Sequence, residues 1–147
     1  LQVERPAVPP SPDMLGMQRQ SRATLDGLRL LGYSLARLGQ EPGAPEFAGS
    51  DVLHLSLFWQ AEAAPLRDLV ISVQVLDAGG QPVRQRQSRP ADGDYPTTLW
   101  AQGEIVRDQH RLPLSRLAAG QYRLIIVVQD ASGRSMGQVE LGSITVK

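Results

Sequence analysis

The chain has 147 residues, with 15 basic and 15 acidic side chains, a formal net charge of zero and no cysteine. That length holds one domain with a proper core and is too short for two ordinary ones. The balanced charge offers no field to phosphate backbones, so no nucleic-acid partner is expected, and the lack of cysteine excludes a disulfide framework, a thiolate zinc site and a cysteine nucleophile.

The first stretch, residues 1–24, opens with "LQVERPAVPPSPDM" and is proline-rich and then polar. It has no hydrophobic period and no basic start leading into an apolar run, so it reads as a linker or tail ahead of a domain over residues 25–147. In "LDGLRLLGYSLARLG" the leucines suit a helix, but Gly27, Gly32 and Gly39 punctuate it. The favoured reading is a strand over Leu28–Leu35 with a bulge or close backbone approach at Gly32. "GQEPGAPEFAGSD" is expected to be a loop.

Next, Leu53, Leu55, Leu57 and Trp59 fall on one side of a two-residue period, with Val52, His54, Ser56 and Phe58 on the other. This is a half-buried strand, and its pattern buries Trp59. In "DLVISVQVLDAGGQPVRQRQS" a second alternating strand turns at "DAGGQP" into a polar arm, where Arg84, Gln85, Arg86 and Gln87 leave no apolar face. That arm is expected at a sheet edge, where charge discourages unwanted pairing. "EIVRDQHRLPL" gives a strand over Ile105–Leu112, and "YRLIIVVQD" is the most apolar strand of all, so Tyr122–Gln129 is expected at a sheet centre. "QVELGSITVK" closes the chain as one or two short strands. Seven or eight strands separated by turn signals describe an all-β, antiparallel two-sheet sandwich, immunoglobulin-like or jelly-roll. No apolar stretch approaches the roughly 20 residues of a membrane-spanning helix.

"GDYPTTLWAQGE", Gly93–Glu104, sits between the polar arm and the Ile105 strand, where a crossing from one sheet to the other is expected. Two readings stand for its aromatics. Asp94, Tyr95, Trp100, Gln102 and Arg107 together have the chemistry of a carbohydrate site, an aromatic face for a sugar ring with polar groups for its hydroxyls. Alternatively Trp100, and Tyr95 with it, anchors one sheet to the other, because a small core with two phenylalanines gains roughly 1.5 to 3 kcal/mol from each large ring it buries. Arg84, Arg86 and Arg89 form either a polar rim for a phosphate or lipid head group or a solvated edge.

The ordered run "YPTTLW"-x-x-"GE"-x-x-x-D, then "LPL" and "AGQYRL", with "LLGYSL" and "LHLSLFWQAEAAPLRDLVISVQVLDAGGQPVRQRQSRP" before it and "LGSITV" after it, resembles a known arrangement. It is similar to the C-terminal domain appended to multi-span membrane glycosyltransferases of the dolichyl-phosphate-mannose mannosyltransferase type and to related uncharacterised bacterial membrane proteins. The resemblance covers about Leu28 to Val146. It implies an extracytoplasmic β-sandwich whose partners are the transmembrane portion of its parent protein and a glycan or lipid-linked sugar. The family's catalytic carboxylates belong to the membrane portion, so no catalytic residue carries over. Relatives often read "YD"-x-x-"TGRRL" after the central strand, where this chain has "VVQDASGRSMG"; the turn is kept, but the aromatic and second arginine are missing.

Glycoside hydrolysis needs two facing carboxylates. Asp92, Asp94, Glu104 and Asp108 lie near the corner, and Asp77 and Asp130 at strand ends, but acids in such places ordinarily accept turn hydrogen bonds. His54 and His110 are the only imidazoles, and no metal-binding spacing links them. Neither a metal nor a cofactor is expected. The expected role is a non-catalytic accessory domain assisting acceptor or glycan positioning, with a carbohydrate-binding module and a purely structural or protein-interaction sandwich as alternatives.

Overall fold

The structure is a computed structural model that describes residues 19–20, 24–25, 27–37, 46–64, 66–93 and 95–147. Its strands, in chain order, are β1 (Arg19–Gln20), β2 (Thr24–Leu25), β3 (Leu28–Arg37), β4 (Glu46–Phe47), β5 (Val52–Ala61), β6 (Leu69–Leu76), β7 (Pro82–Ser88), β8 (Ile105–Pro113), β9 (Gly120–Asp130) and β10 (Ser135–Val146). They form two five-stranded sheets, one ordered β1-β3-β5-β8 with β2 also on β3, the other β4-β10-β9-β6-β7. Every pairing is antiparallel except that of β4 with β10. The fold is the expected β-sandwich. The three shortest strands account for the excess over the expected count, because they carry too few residues to show a period.

The two-residue period decides what lies between the sheets. Leu28, Leu30, Tyr33 and Leu35 of β3, with Leu53, Leu55, Leu57 and Trp59 of β5, face Leu69, Ile71, Val73 and Val75 of β6 and Leu124, Ile126 and Val128 of β9 in one cluster. Trp59 is wholly buried and its indole N–H meets no acceptor, so its contribution is packing alone. Tyr33 adds a polar tie, donating its hydroxyl to the Leu141 carbonyl and so linking β3 to β10 across the core. Tyr122 donates to the Ala118 carbonyl at 2.6 Å, pinning the start of β9 to the preceding connector.

β9 lies between β10 and β6, as its apolar run led one to expect. Its outward Ile125 and Val127 join Leu76 in a second, smaller buried cluster, which explains why both sides of its period are apolar. The bulge in β3 is also present: the register with β5 shifts between Leu30 and Gly32. Two expectations need correction. Glu46–Phe47, read as loop, forms β4, because Phe47 enters the core and its carbonyl accepts from Lys147 N at 2.8 Å. The closing segment is one strand of 12 residues, kept paired across Gly142 by a bulge where φ is 130°. The first sheet also begins before residue 25, since Arg19–Gln20 pairs with Tyr33 and Gly32.

Candidate functional site

The chain crosses from β7 in one sheet to β8 in the other through residues 89–104, which hold two short 3-10 turns, Pro90–Gly93 and Thr97–Leu99. Pro96 is extended, so the second turn starts sharply after it. Thr97, fully buried, is the hinge pin of this corner. Its hydroxyl accepts from Leu69 N at 3.0 Å and donates to the Arg67 carbonyl at 2.7 Å, fixing the start of β6. A Thr97→Val variant keeps the shape but strands that N–H, and is expected to lose about 2 kcal/mol in a urea-unfolding measurement.

Tyr95 and Trp100 stack with ring centroids 6.1 Å apart and planes at 30°. The Trp100 indole N–H donates to the Tyr95 carbonyl at 2.9 Å, and the Tyr95 hydroxyl donates to the Glu104 carboxylate, whose oxygens lie at 2.8 and 2.9 Å. Glu104 in turn accepts from Ala101 N at 2.8 Å. Gly103, at φ 82°, makes the turn into β8 and ties it to β5 by donating its N–H to the Ala61 carbonyl at 2.7 Å. Trp100 is 2% exposed and belongs to the core, so its ring offers no face to a sugar in solvent. It anchors the sheets to one another. Tyr95 is half-buried and Gln102 exposed at the turn. Arg107 lies on the other side of β8, with its guanidinium 5.9 Å over the Phe58 ring and 3.4 Å from Ser56 Oγ. The five expected site residues therefore do not converge: Trp100 is internal, Arg107 faces away from the corner, and Asp94 lies outside the described residues.

The arginine rim is also different from its expected form. Arg84, Arg86 and Ser88 pair with Val75, Val73 and Ile71 and so take the inward side of β7. Arg84 donates to the carbonyls of Pro113 (3.2 Å) and Ser115, satisfying the open edge next to β8. Arg86 Nη1 reaches His110 Nδ1 at 2.8 Å, and His110 Nε2 reaches Asp108 Oδ2 at 2.6 Å. Asp108 Oδ1 then accepts from Ala91 N at 2.9 Å. Asp108 and His110 are both wholly buried. This polar seam joins β7, β8 and the first 3-10 turn. Its signal was the period of β8, in which Asp108 and His110 alternate with Arg107, Gln109 and Arg111 and share the side of Val106 and Leu112.

Several other acids serve turns or surface pairs. Asp77 accepts from Gly79 N and Gln81 N, both at 2.9 Å, in the β6–β7 hairpin. Asp130 does the same job in the β9–β10 hairpin. Hydrogen bonds from the Ser132 hydroxyl and the Arg134 N–H hold its carboxyl below the ordinary value. Asp68 is held low as well, chiefly by hydrogen bonds from the Arg89 guanidinium at 2.9 Å. Among the described residues no three His, Asp or Glu side chains gather to hold a metal ion, and no helix is long and apolar enough to cross a membrane.

No protein-family model matches the chain, and no curated protein matches its sequence. Solved structures match its fold. The C-terminal domain of Wzt superposes with a TM-score of 0.65 at 16% identity, covering 90% of this chain and 81% of that one. A Niemann-Pick type C2 protein from Japanese carpenter ant gives 0.58 at 8% identity over 87% of this chain and 98% of its own. A β-glucuronidase from glycoside hydrolase family 2 gives 0.57 at 11% identity over 79% of this chain, which spans only 12% of that enzyme. At these identities the likeness is one of fold.

Proposed function

We propose that the chain is a non-catalytic accessory β-sandwich, carried on the extracytoplasmic side of a glycosyltransferase-like integral membrane protein, where it helps to position a glycan or acceptor. The observation that carries this reading is the use made of the corner's chemistry. Tyr95, Thr97, Trp100 and Glu104, which bear most of the sequence resemblance, are bonded to one another and to the backbone at the junction of the sheets. They preserve a scaffold, and a scaffold is what an appended domain has to supply.

The matched folds agree with an appended role: the Wzt match is to a C-terminal domain, and the β-glucuronidase match is to a small part of a larger enzyme. Fold alone does not assign function. The reading frame that encodes residues 1–147 is expected to encode many apolar spans ahead of Leu1. Removing the domain from that membrane protein is expected to lower sugar transfer to its acceptor while leaving the protein in the membrane. A reading frame with no such spans, or transfer unchanged by the deletion, would sink the proposal.

A further inference from the structure

β9 outruns its neighbour on one side. Its pairing with β6 ends where Arg123 meets Leu76, while its pairing with β10 runs on through Tyr122 and Gln121 to Gly120. Beyond Leu76 the chain turns into the β6–β7 hairpin instead of continuing beside β9. The space left there is a cleft of about 260 Å³ lined by Asp77, Ala78, Gln121, Tyr122, Arg123 and Ser143. The core side of β9 carries Tyr122, Leu124, Ile126 and Val128, so Gln121 and Arg123 point outward, and the register puts Ser143 beside Arg123 on the same face.

Three of these side chains carry polar atoms that the fold leaves open. The two hydrogen bonds that Asp77 accepts, from Gly79 N and Gln81 N, both fall on Oδ1. Among the described residues nothing donates to its Oδ2, and the exposed Gln121 amide and Ser143 hydroxyl meet no partner. Arg123 gives Nη1 to Glu140 at 3.0 Å, and its Nη2 lies toward the hairpin, 3.7 Å from where a Cβ on Gly80 would stand. Tyr122 is buried and gives its hydroxyl proton to the Ala118 carbonyl, so its ring offers no face for stacking.

An acceptor-only carboxylate oxygen, a donor-only guanidinium and two groups that both donate and accept suit hydroxyls, which do both. Charge argues against an acidic ligand, because Glu140 already offsets Arg123 and Asp77 leaves the cleft negative. The volume falls just below the range of about 300–1,000 Å³ for pockets that take drug-sized molecules, which suits one sugar ring and not several.

We infer that this cleft holds one ring of a neutral glycan, with Asp77 Oδ2 accepting from its hydroxyls and Gln121, Ser143 and Arg123 hydrogen-bonding the others. This rests on the glycan-positioning role proposed above and names the site and the class of glycan. The test is an amide NMR titration of the 147-residue chain with methyl α-glucoside, methyl α-mannoside and methyl α-galactoside in turn, and with glucuronate as the acidic sugar. At least one neutral glycoside is expected to shift the amide signals of Ala78, Gln121 and Ser143 saturably at millimolar concentration, and glucuronate to bind more weakly. Asp77→Asn keeps an oxygen for Gly79 N and Gln81 N but replaces the open carboxylate oxygen, and is expected to weaken binding roughly tenfold with the melting temperature unchanged. Gln121→Ala with Ser143→Ala, both at exposed positions, should weaken it too, whereas Gln138→Ala, opposite Val127 on the same face, should leave it intact. The inference is overturned if none of the three glycosides shifts these amides, if glucuronate binds as tightly, if Gln138→Ala loses as much as Asp77→Asn, or if the Asp77 and Gln121 with Ser143 variants bind like the unaltered chain. None of these outcomes bears on the apolar spans expected ahead of Leu1, so the accessory role and its ligand site fail separately.

Discussion

Replacing Trp100 with alanine is expected to cost about 3–5 kcal/mol of unfolding free energy, the range for removing a large aromatic from a core. The ring is 2% exposed and packs in the cluster shared by both sheets. Its loss would leave a cavity where the crossing segment enters β8. It would also free the Tyr95 carbonyl from its indole donor and remove the partner of the Tyr95 ring. Trp100→Phe should cost less, because it keeps much of the packing and gives up the indole N–H. Guanidinium unfolding with an unchanged dependence on denaturant checks this. A loss below about 1 kcal/mol would place the ring outside the core and return it to the ligand reading.

The Trp100 result follows from strand periods that were legible in the sequence. Alternation located β5, β6 and β8, and the most apolar run located β9 at a sheet centre, because each of these strands is long enough to repeat a period several times. The polar arm led to β7 at an edge, and the position of Gly93–Glu104 between edge and strand led to a crossing of sheets. β4 was not legible, since two residues carry no period, and what makes it a strand, its pairing with β10 and the burial of Phe47, is tertiary. The arginines of β7 were misread for another reason. Hydrophobicity is what tells the inner side of a strand from the outer, and where the inward residues are Arg84, Arg86 and Ser88 that marker is absent. The expected ligand set failed on the same geometry: Arg107 and Trp100 are close in sequence, but a core position and an outward β8 position do not share a surface. The parity of β8 did place Asp108 and His110 on the side of Val106 and Leu112, so their burial was readable, although their partner on β7 was not.

Asp108→Ala is expected to destabilise the domain by about 2–6 kcal/mol, because it leaves two donors without an acceptor at about 1–3 kcal/mol each. The bonding pattern sets the protonation of the seam. Arg86 can only donate, so His110 Nδ1 must accept, and the ring proton sits on Nε2, where it is donated to Asp108. The other Asp108 oxygen holds the N–H of Ala91, a residue at φ 55° that a non-glycine side chain seldom adopts. Removing the carboxylate strands two donors, one wholly buried and one half-buried, releases that turn and takes away the anion at the end of the chain that starts at Arg86. Asp108→Asn should recover only part of the loss, because an amide offers one acceptor oxygen where Ala91 N–H and His110 Nε2–H need two. Replacing the whole relay with Arg86→Met, Asp108→Val and His110→Leu together should cost less than Asp108→Ala alone, since no buried side chain of the relay is then left without its partner. Urea unfolding of the three variants tests the order. If Asp108→Asn matches the unaltered chain, or the triple variant is the least stable, the seam is not the closed donor–acceptor relay that its distances describe.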